Sequence, residues 1–293
     1  MSRQRISLDN LKILKSQHVH MKNHLEVLQK INRIIFDGSE KLQLIVDFDF
    51  TLTKQHQDGA VALSSMNIFE KSLPQARTDE LEEVRKKYQP IEVDPKIPIE
   101  DRITAMKEWF EIEHKLLSGL EYNQKKIEAI TRKYGHSLRD RTKELFSKLK
   151  IHNIPILVFS AGLGDVVELL LRQHDVPLDN VKIISNFLQF EGNKLMGLKN
   201  HENVIHTFNK NVHSNDHEYF KFVQARKNII LLGDSIADTT MADGIENIEN
   251  LLKIGFLYNN IEEKLPFYIE AFDIVLVDDQ TMNVILDILH FMF

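Results

Sequence analysis

Three apolar runs in this chain stop at polar residues, and that pattern limits what the chain can fold into. LQLIV runs into Asp47 and, two residues on, Asp49; PILVF runs into Ser160; NIILLG runs into Asp234. Unbroken apolar runs of this length fit strands covered on both faces, which is the habit of a parallel sheet between helical layers. In such sheets ligands bind beyond the carboxyl ends of the strands. Polar residues at three strand ends, far apart in sequence, are therefore expected to meet in one crevice. The expected fold class is α/β, with a Rossmann-like parallel sheet.

The rest of the chain fits around those strands. Residues 11–36 read as one amphipathic helix closed by Asp37-Gly38. From about Asp58 to Asn153 the texture is charged and helical, as at 78–88 and 100–117, with few β-branched runs. Strands then return in alternation with helices: PILVFS, VKIISN, NIILLGD, LLKIGFL and DIVLV, with LGDVVELLLRQH behind the first. LQFEGNKLMGL reads as a hairpin turning at Gly192-Asn193. Two domains are expected: a core from residues 1–57 and 154–293, and a helical insertion over 58–153.

Composition narrows the function. At 293 residues and 43% hydrophobic, the chain can bury a large core. A net charge of −6 with no Lys/Arg block argues against a nucleic-acid polymer or a membrane as partner. The absence of cysteine removes disulfides, thiolate chemistry and cysteine-bound zinc. No run of about 18 apolar residues appears, so a soluble, cytoplasmic monomer is expected. His18, His20 and His24 would lie on a helix, where exposed histidines are far commoner than metal ligands.

The polar strand ends suggest phosphoryl chemistry. Carboxylates sharing a crevice repel unless a cation joins them, and magnesium accepts one or two carboxylates plus phosphate oxygens. Asp47 could attack phosphorus, and Asp49 is placed to protonate a leaving oxygen and then deprotonate water. Lys210, in HTFNKN, could hold phosphate oxygens; Ser160 and Thr51 could donate hydroxyl hydrogen bonds to them. The turn SAGLGD opens a helix whose N–H groups can face an anion. Each element alone has a duller explanation: Asp-x-Asp as a turn pair, Ser160-Ala161-Gly162 as a plain connection, Lys210 as a surface lysine. Their conjunction, in this order, favours chemistry. A phospho-acceptor signalling module of the receiver type would use similar groups, but needs neither an acid at Asp49 nor so large an insertion.

DFDFTLT, then KYQPIEVDP, KEWFEIEH, FSAGLGDVVE, SNFLQF, HTFNKN, ILLGDSIADTTMADG, LKIGFL and FDIVLV together resemble the cytosolic pyrimidine 5′-nucleotidase family. That family (cytosolic 5′-nucleotidase III, with its 7-methylguanosine-phosphate-specific members) lies among the haloacid dehalogenase-like phosphohydrolases. The resemblance implies Asp47 as nucleophile and Mg2+ ligand, Asp49 as acid/base and ligand through its carbonyl, Asp234 as a further ligand, and Asp238 in support. It implies Ser160, Ala161 and Lys210 around the phosphate, and Glu92 facing the base, where residue type alone would suggest an exposed loop acid. Phe110 matches an aromatic that stacks on the base. Glu113 stands where relatives have a small residue, and Ala237 where they often have glycine. The implied activity is hydrolysis of nucleoside 5′-monophosphates (7-methylguanosine monophosphate, CMP, UMP), with the insertion as a mobile cap; phosphate transfer to another nucleoside is the nearest alternative. Trp109 is expected to pack with Met106 and Leu117 inside that cap.

Overall fold

The computed structural model describes residues 5–57, 59–94, 96–135, 137–199, 201–211 and 217–293. In chain order the strands are β1 (Val19–His20), β2 (Leu42–Val46), β3 (His56–Gln57), β4 (Ala60–Val61), β5 (Leu120–Glu121), β6 (Ile156–Leu163), β7 (Val181–Asn186), β8 (Leu188–Glu191), β9 (Lys194–Leu198), β10 (Asn228–Gly233), β11 (Asn250–Leu257) and β12 (Ile274–Val277). The α-helices are α1 (His24–Asp37), α2 (Ser65–Glu70), α3 (Gln75–Val93), α4 (Ile99–Leu117), α5 (Lys125–Tyr134), α6 (Thr142–Ile151), α7 (Gly164–Gln173), α8 (His217–Val223), α9 (Ile261–Ala271) and α10 (Asn283–His290).

A seven-stranded sheet in the order β1-β12-β11-β10-β2-β6-β7 forms the centre, parallel except for β1 at its edge. The expected α/β sheet is present. Side chains alternate between its two faces, as strand geometry requires. Leu44, Val46, Ile156, Val158, Ile230 and Leu232 point into one buried cluster, which α1, α6, α7 and α10 cover. Ile45, Leu157, Phe159, Ile229 and Leu231 point into the other, under α8 and α9. The chain winds outward from β2 through β6 and β7, then outward the other way from β10 through β11 and β12. The strand order therefore reverses between β2 and β10, where Val46 lies beside Leu232, and a crevice opens there.

The amphipathic segment expected over 11–36 is broken. Residues Lys12–Lys15 make a single 3-10 turn, Val19 and His20 pair antiparallel with Leu276 and Val275, and α1 starts only at His24. Asn23 caps it, its Oδ1 accepting from the Glu26 N–H at 3.1 Å. Pairing with the open edge of β12 outweighs the helical periodicity upstream of that cap. His20 and His24 thus occupy a strand and a helix start, not one helix face. The hairpin at Gly192-Asn193 is present as β8 and β9.

Between β2 and β6 lie α2 to α6, β5 and a short β3–β4 hairpin. Pairing of β5 with β9 joins this stretch to the later part of the chain in a second, three-stranded sheet. Tyr88, Ala105 and Met106 form a small buried cluster between α3 and α4, with Trp109 packed against it; Leu117, expected beside Trp109, belongs instead to the main cluster. Leu145, Phe146 and Leu149 of α6 are buried in the main cluster as well, and Asp140, just before α6, bridges to Thr281. Truncating Phe146, which is fully buried, to alanine is expected to cost about 3–5 kcal/mol. Chemical denaturation reads this directly, and an unchanged midpoint would contradict the packing of α6 against the sheet.

Candidate active site

The turn after β2 is fixed by its own backbone. The N–H groups of Leu52 and Thr53 donate to the Phe48 carbonyl oxygen at 2.9 and 3.1 Å, and Phe50 takes a left-handed φ of 64°. The Phe50 N–H is satisfied by Thr53 Oγ1 at 2.8 Å. Arg139, 1% exposed, braces this turn from outside. Its Nε and Nη2 donate to the carbonyl oxygens of Thr51 and Phe50, both at 2.6 Å, and its guanidinium lies 3.8 Å over the Phe256 ring. Burial lowers its pKa to about 10, with Asp234 opposing that shift, so it stays charged at neutral pH. Nothing in its own sequence context separates Arg139 from a surface arginine.

The turn sets Asp47 at the sheet's switch point. One oxygen each of Asp47, Asp234 and Asp238 lie within 4.8 Å of one another, the single grouping of this kind among the described residues. Lys210 Nζ donates to Asp47 Oδ1 and to Asp238 Oδ1, both at 2.7 Å, and is itself 4% exposed. Asp238 caps its own turn: its Oδ2 accepts from the N–H groups of Ser235 and Asp234 at 2.9 and 3.2 Å. A Cβ at Gly233 would overlap the Asp238 side chain, so only glycine fits there. Thr51, expected to donate to phosphate, sends its hydroxyl to Asp234 Oδ1 at 3.3 Å. Tyr268 donates to the Asp234 carbonyl oxygen at 2.6 Å.

Charge is unbalanced here. Burial, then Asp238 and Asp49, raise the Asp47 carboxyl to about 7 against the pull of Lys210. Burial together with Asp47 and Asp238 holds Asp234 well above the usual carboxylate range. Burial alone would lower Lys210, but Asp238 and Asp47 outweigh it and raise its pKa. Two buried carboxylates, Asp47 and Asp238, and the half-buried Asp234 face one ammonium, with Arg139 at longer reach. An all-oxygen donor set of this kind is one that a divalent cation can join.

Asp49 points to the other wall. Its Oδ1 accepts from the Ser65 N–H and its Oδ2 from the Ser65 hydroxyl, both at 2.7 Å. Ser65 Oγ in turn accepts from the Leu163 N–H at 2.9 Å. Burial nevertheless raises Asp49 above its ordinary value. Ser160, 1% exposed, accepts from the Gly162 N–H at 3.0 Å. A Cβ at Gly162 would overlap Ser65 Oγ and Asp49 Oδ2 and lie 3.2 Å from Ser160 Oγ, so the glycine lets these groups converge. The strand β6 continues through Ser160 and half-buried Ala161 to Leu163, with its register broken after Phe159; α7 begins one residue later than SAGLGD suggests. Ser65 follows the Ser64 N-cap of α2. A capping signal in SSMNIFE was readable, but not its contact with Asp49.

The residues expected around a base lie on α3 and α4, apart from the acids. Glu92 is half-buried near the end of α3, not an exposed loop acid, and accepts from the Thr207 hydroxyl. Glu113 is 6% exposed and accepts from Trp109 Nε1 at 2.7 Å. Phe110 turns to another face of α4, packs against the main cluster, and lines a cavity of about 830 Å³ with Lys107, His114, His201 and His206.

Residues 50–293 match the family described as pyrimidine 5′-nucleotidase (UMPH-1). A 7-methylguanosine phosphate-specific 5′-nucleotidase of Drosophila melanogaster is 44% identical over 285 residues, 96% of this chain and 89% of that protein. The crystal structure of cytosolic 5′-nucleotidase IIIB bound to cytidine superimposes with a TM-score of 0.93 at 43% identity, covering 98% of each chain. A substrate-bound phosphoserine phosphatase shares the fold alone, with a TM-score of 0.50 and 15% identity over 84% of this chain and 97% of its own. With β2 and β10 meeting at a carboxylate-lined crevice and this likeness along nearly its whole length, the chain belongs to the pyrimidine 5′-nucleotidase family, hydrolases on a haloacid dehalogenase-like fold.

Proposed function

We propose that this 5′-nucleotidase hydrolyses 7-methylguanosine monophosphate, CMP and UMP, with Asp47 as nucleophile and Asp49 as acid/base. The observation that carries this reading is Lys210, buried between Asp47 and Asp238 at 2.7 Å from each. An ammonium there opposes the protonation that burial favours at Asp47 and sits where oxygens of an incoming phosphate need positive charge. Asp47 attacks phosphorus, the bond to the nucleoside 5′-oxygen breaks, and Asp49 donates a proton to that oxygen. Asp49 then takes a proton from water, which attacks phosphorus and releases phosphate from Asp47. Ser160 and the Ala161 backbone steady the phosphate beside Lys210. Asp47 and Asp234 would hold magnesium with the Asp49 carbonyl oxygen, and Asp238 would orient Lys210. When bound, the cation offsets the mutual repulsion of these carboxylates and the phosphate.

The stretch 58–153 serves in this reading as the cap over the crevice, with α6 as its attachment to the core. A cap admits water only after the nucleoside has left. Glu92 on α3 would accept N–H donors of the base, with Phe110 and Glu113 beside it. The cytidine-bound relative and the 7-methylguanosine-phosphate-specific relatives support both kinds of base. Among the described residues no helix is long and apolar enough to cross a membrane.

Asp47→Asn is expected to retain the fold and to lose all but about 1% of turnover, since an amide cannot attack phosphorus. Chelation with EDTA should abolish phosphate release and added magnesium should restore it; undiminished activity after chelation would refute the metal assignment. A phosphate-release screen over nucleoside monophosphates tests the base. The charged 7-methylguanine gains on an aromatic face beside carboxylates, so 7-methylguanosine monophosphate should exceed GMP in kcat/KM by about tenfold. Equal values would remove Phe110 and Glu113 from base reading while leaving the hydrolase intact.

Glu113 also makes a stability prediction. Burial and then Glu70 raise its carboxyl to about 7, so between its unfolded value and 7 the folded state binds the extra proton. Its contribution is therefore favourable at low pH and is lost as pH rises through 7. Glu113→Gln, which can still accept from Trp109, should stabilise the protein at pH 8 by on the order of 1–3 kcal/mol and hardly at all near pH 4.5. Melting curves at the two pH values decide it; equal effects at both would show that Glu113 is not held protonated by the fold.

A further inference from the structure

Phe208 precedes Lys210 by two residues, yet its ring packs into the small cluster of α3 and α4 beside Tyr88, Met106 and Trp109. Arg102 of α4 lies 4.8 Å over that ring, and its Nη1 donates to the Glu92 carbonyl oxygen at 3.4 Å. One residue earlier, Thr207 Oγ1 donates to Glu92 Oε1. Three residues later, Lys210 reaches Asp47 and Asp238. The segment between is itself held. The His206 N–H donates to Asn209 Oδ1 at 2.7 Å, the Asn209 N–H returns to the His206 carbonyl oxygen at 3.1 Å, and Asn209 Nδ2 donates to the Val204 carbonyl oxygen at 2.9 Å. One braced turn thus grips a carboxylate of α3 at one end and carries the buried ammonium at the other.

We propose that Thr207 is a specificity-determining residue, whose hydroxyl anchors Glu92 by Oε1 and presents Oε2 to the N–H donors of the base. This deepens the reading of Glu92 as the base-facing acid and depends on it. Among the described residues Glu92 Oε2 has no hydrogen-bond partner, so it is the oxygen available to a ligand. A glutamate side chain anchored before binding gives up less freedom when the base arrives. Burial raises the Glu92 carboxyl while the Thr207 hydrogen bond opposes that rise, so the anchor also favours the ionised, acceptor-only form. The groups suited to Oε2 are the exocyclic amine of cytosine, the N3–H of uracil and the N1–H and amine of a guanine.

Product inhibition separates the two ends of the turn, because cytidine carries only the base end of the substrate and inorganic phosphate only the other. Thr207→Val removes the hydroxyl and keeps the shape; it should raise the inhibition constant of cytidine by about tenfold, the weight of a hydrogen bond to a charged group, and leave that of phosphate unchanged. Thr207→Ser should restore the cytidine value. An unchanged or lowered cytidine constant in Thr207→Val overturns the proposal. So does an equal rise for cytidine and phosphate, which would make Thr207 a brace for the whole turn. Glu92→Gln, measured alongside, tests the underlying assignment. If Glu92→Gln binds cytidine as wild type does, or wild type is not inhibited by cytidine, Glu92 does not read the base. Weakening in Glu92→Gln without weakening in Thr207→Val removes Thr207 alone.

Discussion

Among the described residues Lys210 is the only buried lysine, and the acids around it tolerate burial because it stands between two of them. An unpaired carboxylate in such a place would cost several kcal/mol. Here Asp47 and Asp238 each accept from Nζ at 2.7 Å, while Asp234 has only a 3.3 Å hydroxyl contact from Thr51. The lysine thus relieves two of three carboxylates and leaves a surplus of negative charge. That surplus is a strain on the fold and an attraction for a cation. Removing Asp234, which makes no hydrogen bond to Lys210, relieves repulsion without breaking a buried ion pair, whereas removing Asp47 or Asp238 breaks one.

The strand ends were legible because two simple periodicities met. Fully apolar runs announce strands covered on both faces, and the parallel order sends their carboxyl ends to one side; Asp47, Ser160 and Asp234 followed from that alone. Other parts were not legible because their causes are distant in sequence. The segment 11–36 keeps a helical pattern, but Val19 and His20 pair with Val275 and Leu276 some 250 residues later. Arg139 and Ser65 look like surface residues until the turn after β2 arrives to receive their hydrogen bonds. Glu92 looked exposed because nothing local to α3 foretells Thr207. Trp109 and Phe110 carry different expectations in the sequence, and adjacent residues of a helix do face different ways: the two join different clusters.

The stretch proposed as a cap is tied to the later part of the chain. Pairing of β5 with β9 stitches the segment after α4 to the hairpin that follows β7, and Phe208 packs against the helical cluster of α3 and α4. If that stretch closes as the proposed cap, the segment that ends in Lys210 moves with it. On the proposed roles of Lys210 and Glu92, phosphate and base would then favour the same arrangement, since one turn supports both residues. Binding energy from the base, the part that does not react, can in this way be used to order the group that holds the part that does.

The two ends differ in rigidity for the same reason. The proposed phosphate end is built on the strand termini that carry Asp47 and Ser160 and the loop that carries Lys210, all three almost wholly buried. The base end is built on α3 and α4, whose small cluster has three fully buried members and several half-buried ones. Substitutions on the helices can shift without disturbing the sheet, whereas a change at Gly162 or Gly233 meets a neighbouring side chain at once. On the reading proposed above, selectivity for the base can vary on the helices while the chemistry is held by the sheet. Glu113, a buried acid that accepts from Trp109 and is raised by burial and Glu70, sits on those helices and outside the carboxylate group at the switch point between β2 and β10.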